Sequence, residues 1–257
     1  MERRRLSSEL YALFDPRLER AGFLAAFTER TGGGSEAPFD TLNLGLKTRD
    51  RRESVIGNRR ALIGALAVGP WAMGMQVHGS RIVRVGASRA GAGFDDPSTG
   101  VGDADGLSVT RPLLPVAVIT ADCLPIALVA PGEGRAVALH AGWRGLAAGA
   151  IDAAAASFSD PSEVLAAIGP AIGPCHYEVG PDVALAVAAG SEGGAVSERR
   201  DGSTYLDLSA TAAKHLRAAG IRRVERAEEC TACEERRFFS HRRDGETGRQ
   251  GLVLMRL

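Results

Sequence analysis

Three apolar runs lie at the centre of the chain: Pro115-Val-Ala-Val-Ile-Thr120, Cys123-Leu-Pro-Ile-Ala-Leu-Val129 and Arg135-Ala-Val-Ala-Leu-His140. Continuous apolar runs of this length are typical of strands that are buried on both faces. The alanine-rich segment 145–158 follows closely and predicts a helix, because alanine has the highest helix propensity. His140 is therefore expected to end a strand just before a helix begins.

The rest of the chain mixes short apolar runs with helical periodicity. Between residues 50 and 66 the apolar residues recur about every 3.6 positions, which predicts an amphipathic helix. Further helices are predicted at 182–189 and 207–219, and further strands at 23–28, 71–77, 82–85, 163–168, 238–241 and 252–257. Residues 86–104 are rich in Gly, Ala, Ser and Asp and predict a surface loop. No repeat of solenoid length and no domain linker is visible.

Composition and charge exclude several classes of protein. Hydrophobic residues make up 45% and charged residues 24%, which excludes a disordered or collagen-like chain. Lys plus Arg number 31 and Asp plus Glu 31, so there is no net field to attract nucleic acid or an anionic membrane. The basic opening, residues 3–5, is not followed by an apolar segment, and no apolar stretch reaches the roughly 18 residues of a membrane helix. We therefore expect a cytoplasmic protein with a small-molecule partner and no membrane association.

Four cysteines occur, at positions 123, 175, 230 and 233. A reducing compartment keeps thiols free, so we interpret them as thiols or metal ligands and not as disulfides. Cys230-Thr-Ala-Cys233 is a single C-x-x-C without a second such pair, so it does not specify a structural zinc. A metal or redox role for this pair stays open.

Histidine and cysteine at predicted strand ends suggest a metal centre. His78 and His140 each end a predicted strand beside glycine, and Cys123 stands at a similar boundary. Two imidazoles and a thiolate can hold zinc and leave a fourth position for water or substrate, and the same set can bind copper. Two other interpretations remain: Cys123 as a nucleophile with His140 as its base, or Cys123 as an inert buried thiol.

The remaining polar residues are less specific. His215 lies in a predicted helix and is interpreted as a packing or surface residue, while His176 and His241 are ambiguous. The triplet 32–34 of glycines lacks the spacing of a phosphate-binding loop and predicts a flexible turn. Several arginines lie in segments rich in glycine and polar residues, where a guanidinium fork can hold phosphate: Arg144, Arg242, Arg243 and Arg249.

Several local strings resemble the laccase-domain family, whose members are variously labelled polyphenol oxidase, purine nucleoside phosphorylase and peptidoglycan editing factor. The resemblance runs from about Phe27 to the C-terminus. The strings that carry it are Gln76-Val-His-Gly79, Ala104-Asp-Gly106, Ala121-Asp-Cys-Leu-Pro-Ile126, His140-Ala-Gly-Trp-Arg-Gly145, Ile168-Gly-Pro-Ala-Ile-Gly-Pro-Cys175 with Tyr177-Glu178, and Phe239-Ser-His-Arg-Arg-Asp244 before Thr247-Gly-Arg249.

The resemblance implies a fold, a metal site and an activity. The implied fold is α+β, a single layered domain over residues 1–257 with mixed β-sheets flanked by helices. The implied site is zinc, or copper, on His78, Cys123 and His140, in a monomeric enzyme. The implied activity is phosphorolysis of adenosine, guanosine, inosine and methylthioadenosine, together with adenosine deamination. Purine nucleoside and phosphate would be bound by Asn43, Arg59, Gln76, Arg144 and Arg242.

Two departures from the family pattern bear on substrate preference. His241 stands where the family often has an aromatic residue, and Lys47-Thr-Arg-Asp50 only loosely follows its usual Gly-Asp segment. Two alternative functions stay open. A copper-dependent polyphenol oxidase needs many histidines, and five are too few for a full multicopper set. A peptidoglycan-precursor editing hydrolase would use Cys123 and His140.

Overall fold

Fourteen strands and seven α-helices occur in the computed structural model, which describes all residues from 1 to 257. The strands are β1 (Glu2–Arg5), β2 (Tyr11–Phe14), β3 (Phe23–Thr28), β4 (Ile82–Arg84), β5 (Gly106–Val109), β6 (Val116–Thr120), β7 (Leu124–Ala130), β8 (Arg135–Ala141), β9 (Leu165–Ile168), β10 (Glu178–Val179), β11 (Ser197–Arg200), β12 (Ser203–Leu206), β13 (Arg223–Arg226) and β14 (Gln250–Arg256). The α-helices are α1 (Pro16–Arg20), α2 (Arg52–Leu66), α3 (Trp143–Ala147), α4 (Ala150–Ala155), α5 (Pro181–Ala189), α6 (Leu208–Ala218) and α7 (His241–Asp244).

The strands form three sheets. A five-stranded antiparallel sheet has the order β1-β2-β3-β14-β6. A six-stranded mixed sheet has the order β13-β9-β7-β8-β5-β4, with parallel pairs at its two edges. A small antiparallel sheet joins β10, β12 and β11. The consecutive strands β6 and β7 lie in different sheets, so the chain crosses from one sheet to the other at residues 121–123.

The two large sheets pack face to face, and helices cover their outer faces. In β7, Ile126 and Leu128 contact the core that includes α4 and α6, whereas Ala127 and Val129 contact the core between the sheets. Side chains of the five-stranded sheet also alternate between its two faces: in β6, Val118 faces the other sheet and Ala117 faces α2. Burial on both faces explains why the central runs are continuously apolar. The fold is the predicted α+β single domain with mixed sheets.

Two predicted strands are absent from the structure. Residues 71–77 form only isolated bridges, at Ala72 and Met75, and not a strand. The side-chain amide of Gln76 takes the place of a neighbouring strand's backbone, because it donates to the Ile119 carbonyl and accepts from the Ile119 N–H. Residues 238–241 are also not a strand: the Gln250 amide pairs with the Phe239 backbone instead.

The predicted helix at 145–158 is broken into α3 and α4. The break falls at Gly149, whose φ of +74° belongs to the left-handed region and ends the first helix. Seven strands were not predicted from the sequence: β1, β2, β5, β10, β11, β12 and β13. None of them is longer than four residues, and β1 consists entirely of charged residues. None of the helices is both long and apolar enough to span a lipid bilayer.

Packing between the sheets generates a stability prediction at Gly169. A Cβ atom at this position would clash with the ring of Phe27, which is buried. Gly169→Ala should therefore lower the free energy of unfolding by about 1–3 kcal/mol, the usual cost of overpacking a core. The measurement is the urea midpoint.

Gly57→Ala is the matched control, since a Cβ there meets nothing within 4 Å and lies within α2. Alanine has a helix propensity about 1 kcal/mol better than glycine, so this variant should unfold at an equal or higher urea concentration. Equal midpoints for Gly169→Ala and the unmodified chain would contradict the packing described above.

Candidate metal centre and adjoining cleft

Three separate segments bring a cysteine and two histidines together. Cys123 lies at the corner where the chain passes from β6 to β7. His140 is the penultimate residue of β8 and pairs with Pro125 of the neighbouring strand β7, so the register places it beside this corner. His78 lies in the loop that precedes β4 and has a left-handed φ of +61°.

The three ligand atoms lie within 4.8 Å of one another. The rings of His78 and His140 meet edge to face, with centroids 4.9 Å apart. His140 is buried, Cys123 is partly exposed and His78 is exposed, so the cluster is open to solvent on one side. Three donors of this chemistry suit zinc or copper, and the open side leaves room for a further ligand.

The buried carboxylate of Asp105 holds two of the three donors in place. Its Oδ1 accepts from the backbone N–H of His78 at 2.9 Å and from Nδ1 of His140 at 2.8 Å. Its Oδ2 accepts from the N–H groups of Val77 and Gly79. A histidine whose Nδ1 donates to a carboxylate keeps Nε2 as the free, electron-rich nitrogen, which is the usual arrangement around a metal-binding imidazole.

Charges within the cluster favour the thiolate. Burial raises the pKa of the Cys123 thiol, but His140 and His78 more than offset this and lower it to about 6. Burial lowers the pKa of His140, but Cys123 and Asp105 outweigh burial and raise it to about 9. Burial raises the pKa of Asp105, but hydrogen bonds from His140 and Gly79 bring it below its ordinary value. Cys123 is thus held as a thiolate, the form that ligates metals, whereas His140 would have to release the proton on Nε2 when a metal ion binds.

A cleft of about 500 Å³ opens directly onto the cluster, and His78, Cys123 and His140 are among its lining residues. Lys47, Arg144 and Arg249 also line it, and no aspartate or glutamate does. The apolar part of the wall comes mainly from Met73, Met75 and Ile119. A cleft with this lining suits a ligand that has both an anionic group and a flat apolar part.

Three of the predicted substrate residues have their polar groups engaged within the protein. The Asn43 amide donates to Thr48 and Asp50 and accepts from the N–H groups of Gly45 and Arg249. The buried guanidinium of Arg59 donates to backbone carbonyls of Leu44, Gly93 and Phe94. The Gln76 amide pairs with the backbone of β6, as described above. Arg59 and Gln76 line the cleft, whereas Asn43 does not, and direct contact with substrate stays a prediction for all three.

The arginines near the cleft differ in how free they are. Arg144 donates no hydrogen bond to the protein and stacks against its neighbour Trp143, 4.5 Å from the ring centroid. Arg249 uses only Nη1, which donates to the carbonyls of Thr247 and Gly248. Arg242 does not line the cleft, and its Nη1 donates to the carbonyls of His176 and Glu178. The structure therefore places Arg249, and not Arg242, in the same cleft as Arg144.

Asp122 fixes the corner that carries Cys123. Its φ of +91° is unusual for a residue with a side chain, and three contacts hold it. Oδ1 accepts from the Thr231 hydroxyl, Oδ2 accepts from the Arg242 N–H, and the backbone carbonyl accepts from the Ile172 N–H. Both carboxylate oxygens are engaged, so the position of Cys123 depends on two distant loops.

Sequence reasoning missed a second group of donors. Cys230 and Cys233 do not stand alone, because Cys175 and His176 lie against them and the four ligand atoms are within 4.8 Å of one another. The adjacent Cys-His pair was the signal that a search for a second C-x-x-C overlooked. His215 is buried within α6, where its Nε2 donates to the Gly194 carbonyl, away from both clusters. His241 lines the cleft.

The fold and the site together define an α+β protein with a candidate metal centre beside a basic cleft. The chain belongs to the multi-copper polyphenol oxidoreductase laccase family, whose sequence model matches residues 24–257. The match confirms the resemblance seen in the central strings.

Relatives with similar sequences carry a more specific name. Purine nucleoside phosphorylase YlmD of Geobacillus stearothermophilus is 40% identical over 242 residues, which cover 89% of this chain and 88% of that protein. Purine nucleoside phosphorylase YfiH of Escherichia coli is 34% identical and covers 91% and 93%. The crystal structure of YlmD from Geobacillus stearothermophilus superposes with a TM-score of 0.93, 37% identity and coverage of 99% and 98%.

The role of Asp105 can be tested by Asp105→Asn. The variant keeps the shape of the side chain but replaces one acceptor oxygen with an NH₂ group. This donor would face the backbone or imidazole N–H groups that now donate to the oxygen, so those hydrogen bonds would be lost. Loss of such a carboxylate behind a metal ligand typically weakens metal binding about 10- to 100-fold. The measurement is zinc affinity by competition with a chromogenic chelator, at equal thermal stability.

Asp103→Asn provides the control, because Asp103 is exposed and makes no side-chain hydrogen bond. This variant should bind zinc as the unmodified chain does. Unchanged affinity in Asp105→Asn would show that the carboxylate does not organise the donors.

Proposed function

We propose that the chain is a zinc-dependent purine nucleoside phosphorylase that acts on adenosine, inosine, guanosine and methylthioadenosine, and that it also deaminates adenosine. The observation that carries the proposal is the lining of the cleft. The lining includes basic side chains and the His₂Cys donor set, and it includes no carboxylate. Phosphate and a purine nucleoside match this lining better than a cationic or purely apolar substrate. The names of relatives at 34–40% identity agree with this choice.

His78, Cys123 and His140 would hold the metal ion. Zinc bound there would supply Lewis-acid chemistry toward water or phosphate. The same donors also accept copper, so the element in the protein is part of the test below.

The arginines of the cleft would bind and orient phosphate. In phosphorolysis a phosphate oxygen forms a bond to C1′ of the ribose while the bond from C1′ to the purine nitrogen breaks, and the purine leaves with the electron pair. Arg144 and Arg249 would hold the phosphate dianion and offset its charge through charge-assisted hydrogen bonds. Met73, Met75 and Ile119 would pack against the purine. In deamination, the oxygen of water forms a bond to C6 while the bond from C6 to the amino nitrogen breaks, and the amino group leaves as ammonia.

Two further statements belong to the proposal. The four free cysteines agree with a reducing compartment, so we keep the expectation of a cytoplasmic enzyme. We also keep the expectation of a monomer whose partners are the nucleoside and phosphate. Cell fractionation would test the expected location, and the molar mass of the protein in solution would test the expected monomer.

Product analysis tests the proposed reaction. Metal-analysed protein is incubated with adenosine, with and without phosphate. With phosphate we expect ribose 1-phosphate together with adenine, and also hypoxanthine, because the inosine formed by deamination is itself a proposed substrate. Without phosphate we expect inosine. Removing the metal with a chelator should abolish both activities, and adding zinc should restore them.

Full activity in verified metal-free protein would contradict a metal-dependent mechanism. Two other outcomes would replace the proposed reaction. Oxygen uptake with a phenol and bound copper, without nucleoside turnover, indicates a polyphenol oxidase. Cleavage of peptidoglycan precursors that needs Cys123 but no metal indicates an editing hydrolase.

Arg144→Ala tests phosphate binding without disturbing the fold, because Arg144 has no hydrogen bond to the protein. A hydrogen bond to a charged group contributes about 1.5–3 kcal/mol, so the KM for phosphate should rise about 10-fold or more. The KM for the nucleoside should change little. Steady-state kinetics with each substrate varied separately gives both values.

Arg223→Ala is the control, since Arg223 lies on the edge strand β13 and pairs with Glu163 at the surface. Its kinetics should match those of the unmodified chain. An equal rise in both KM values for Arg144→Ala would argue against a specific role in phosphate binding.

A further inference from the structure

Four potential metal ligands form a cluster that the proposed function does not use. Cys175 and His176 lie in the loop between β9 and β10, and Cys230 and Cys233 lie in the loop that follows β13. The four ligand atoms, three sulfurs and one imidazole nitrogen, lie within 4.8 Å of one another. The two loops are also joined by a bridge between Ala171 and Cys230.

The spacing of these atoms agrees with tetrahedral coordination. Nδ1 of His176 lies 3.3 Å from Sγ of Cys175, 3.5 Å from Sγ of Cys233 and 4.0 Å from Sγ of Cys230. A zinc ion with bonds of about 2.3 Å to sulfur and about 2.0 Å to nitrogen separates such ligands by about 3.8 Å for two sulfurs and about 3.6 Å for sulfur and nitrogen. The observed separations therefore surround a site of the right size.

A disulfide is the main competing interpretation. Sγ of Cys175 and Sγ of Cys233 lie 3.4 Å apart, whereas a disulfide bond is about 2.0 Å long. All four cysteines are free. A disulfide would also leave the third thiol and the imidazole of the cluster without a function.

We infer that Cys175, His176, Cys230 and Cys233 form a second metal site, which holds one zinc ion in a closed Cys₃His set and has a structural role. Structural zinc sites have four protein ligands, whereas catalytic sites keep one position open. This cluster supplies four ligands and the cluster at Cys123 supplies three. The Gly173 N–H donates to Sγ of Cys230 at 3.1 Å, a contact that stabilises a thiolate ligand.

The location of the cluster indicates what the ion would do. Thr231 lies between Cys230 and Cys233, and its hydroxyl donates to Asp122 at 2.7 Å. The other loop reaches the same residue, because the Ile172 N–H donates to the Asp122 carbonyl. A zinc ion would therefore cross-link the two loops that hold the corner carrying Cys123.

Metal counting on protein purified under reducing conditions tests the inference without any assay of activity. We expect about two zinc ions per unmodified chain and about one in Cys233→Ala. Cys233→His should keep about two ions, because histidine is also a zinc ligand. The double variant His78→Ala, Cys123→Ser should keep one ion, which comes from the second cluster.

Cobalt substitution of that double variant gives a second readout if Cys233→Ala does not fold. We expect strong thiolate-to-cobalt charge-transfer bands and the d–d bands of a tetrahedral ion. The inference is overturned if the double variant binds no metal, or if thiol titration of the unmodified chain finds a disulfide between Cys175 and Cys233. These outcomes leave the proposed phosphorolysis untouched, since the counts distinguish the two clusters.

Discussion

A single buried carboxylate, that of Asp105, fixes the positions of the two histidines of the candidate metal centre. It accepts hydrogen bonds from the three backbone N–H groups of residues 77–79 and from the imidazole N–H of His140. The backbone of His78 is left-handed, a conformation that persists only where surrounding contacts hold it. The backbone of Asp105 also accepts from the His140 N–H. One residue thus couples an irregular loop to a central strand, and the geometry of the site depends on that coupling.

The third donor depends on the way in which the two large sheets are connected. The chain leaves the five-stranded sheet at Thr120 and enters the six-stranded sheet at Leu124. Cys123 lies at this corner, and Asp122 holds the corner through contacts with Thr231, Arg242 and Ile172. The loops that provide these contacts also carry the second donor cluster. Residues 121–123 therefore connect the two clusters. A displacement of the loops would move Asp122 and, with it, Cys123.

The sequence predicted the fold well where burial controls the residue pattern. The central strands are buried on both faces, so their continuous apolar runs identify them, and the strand ends bring His140 and Cys123 together. The pattern of apolar residues does not identify the true strands where a side-chain amide takes the place of a backbone partner, as those of Gln76 and Gln250 do. It also misses short edge strands that have no apolar face. The importance of Asp105 was also not predictable, because its partners lie far away in sequence. The resemblance to a family named His78, Cys123 and His140, but the substrate residues taken from it included Arg242, which does not line the cleft, and not Arg249, which does.

An anomalous diffraction map of the protein, recorded at the zinc absorption edge, shows directly whether the three donors share one ion. We expect a strong peak about 2.3 Å from Sγ of Cys123 and about 2.0–2.1 Å from one nitrogen each of His78 and His140. We also expect Nδ1 of His140 to stay bonded to Asp105. Well-ordered side chains at these three positions with no peak between them, in protein supplied with zinc, would contradict the central claim.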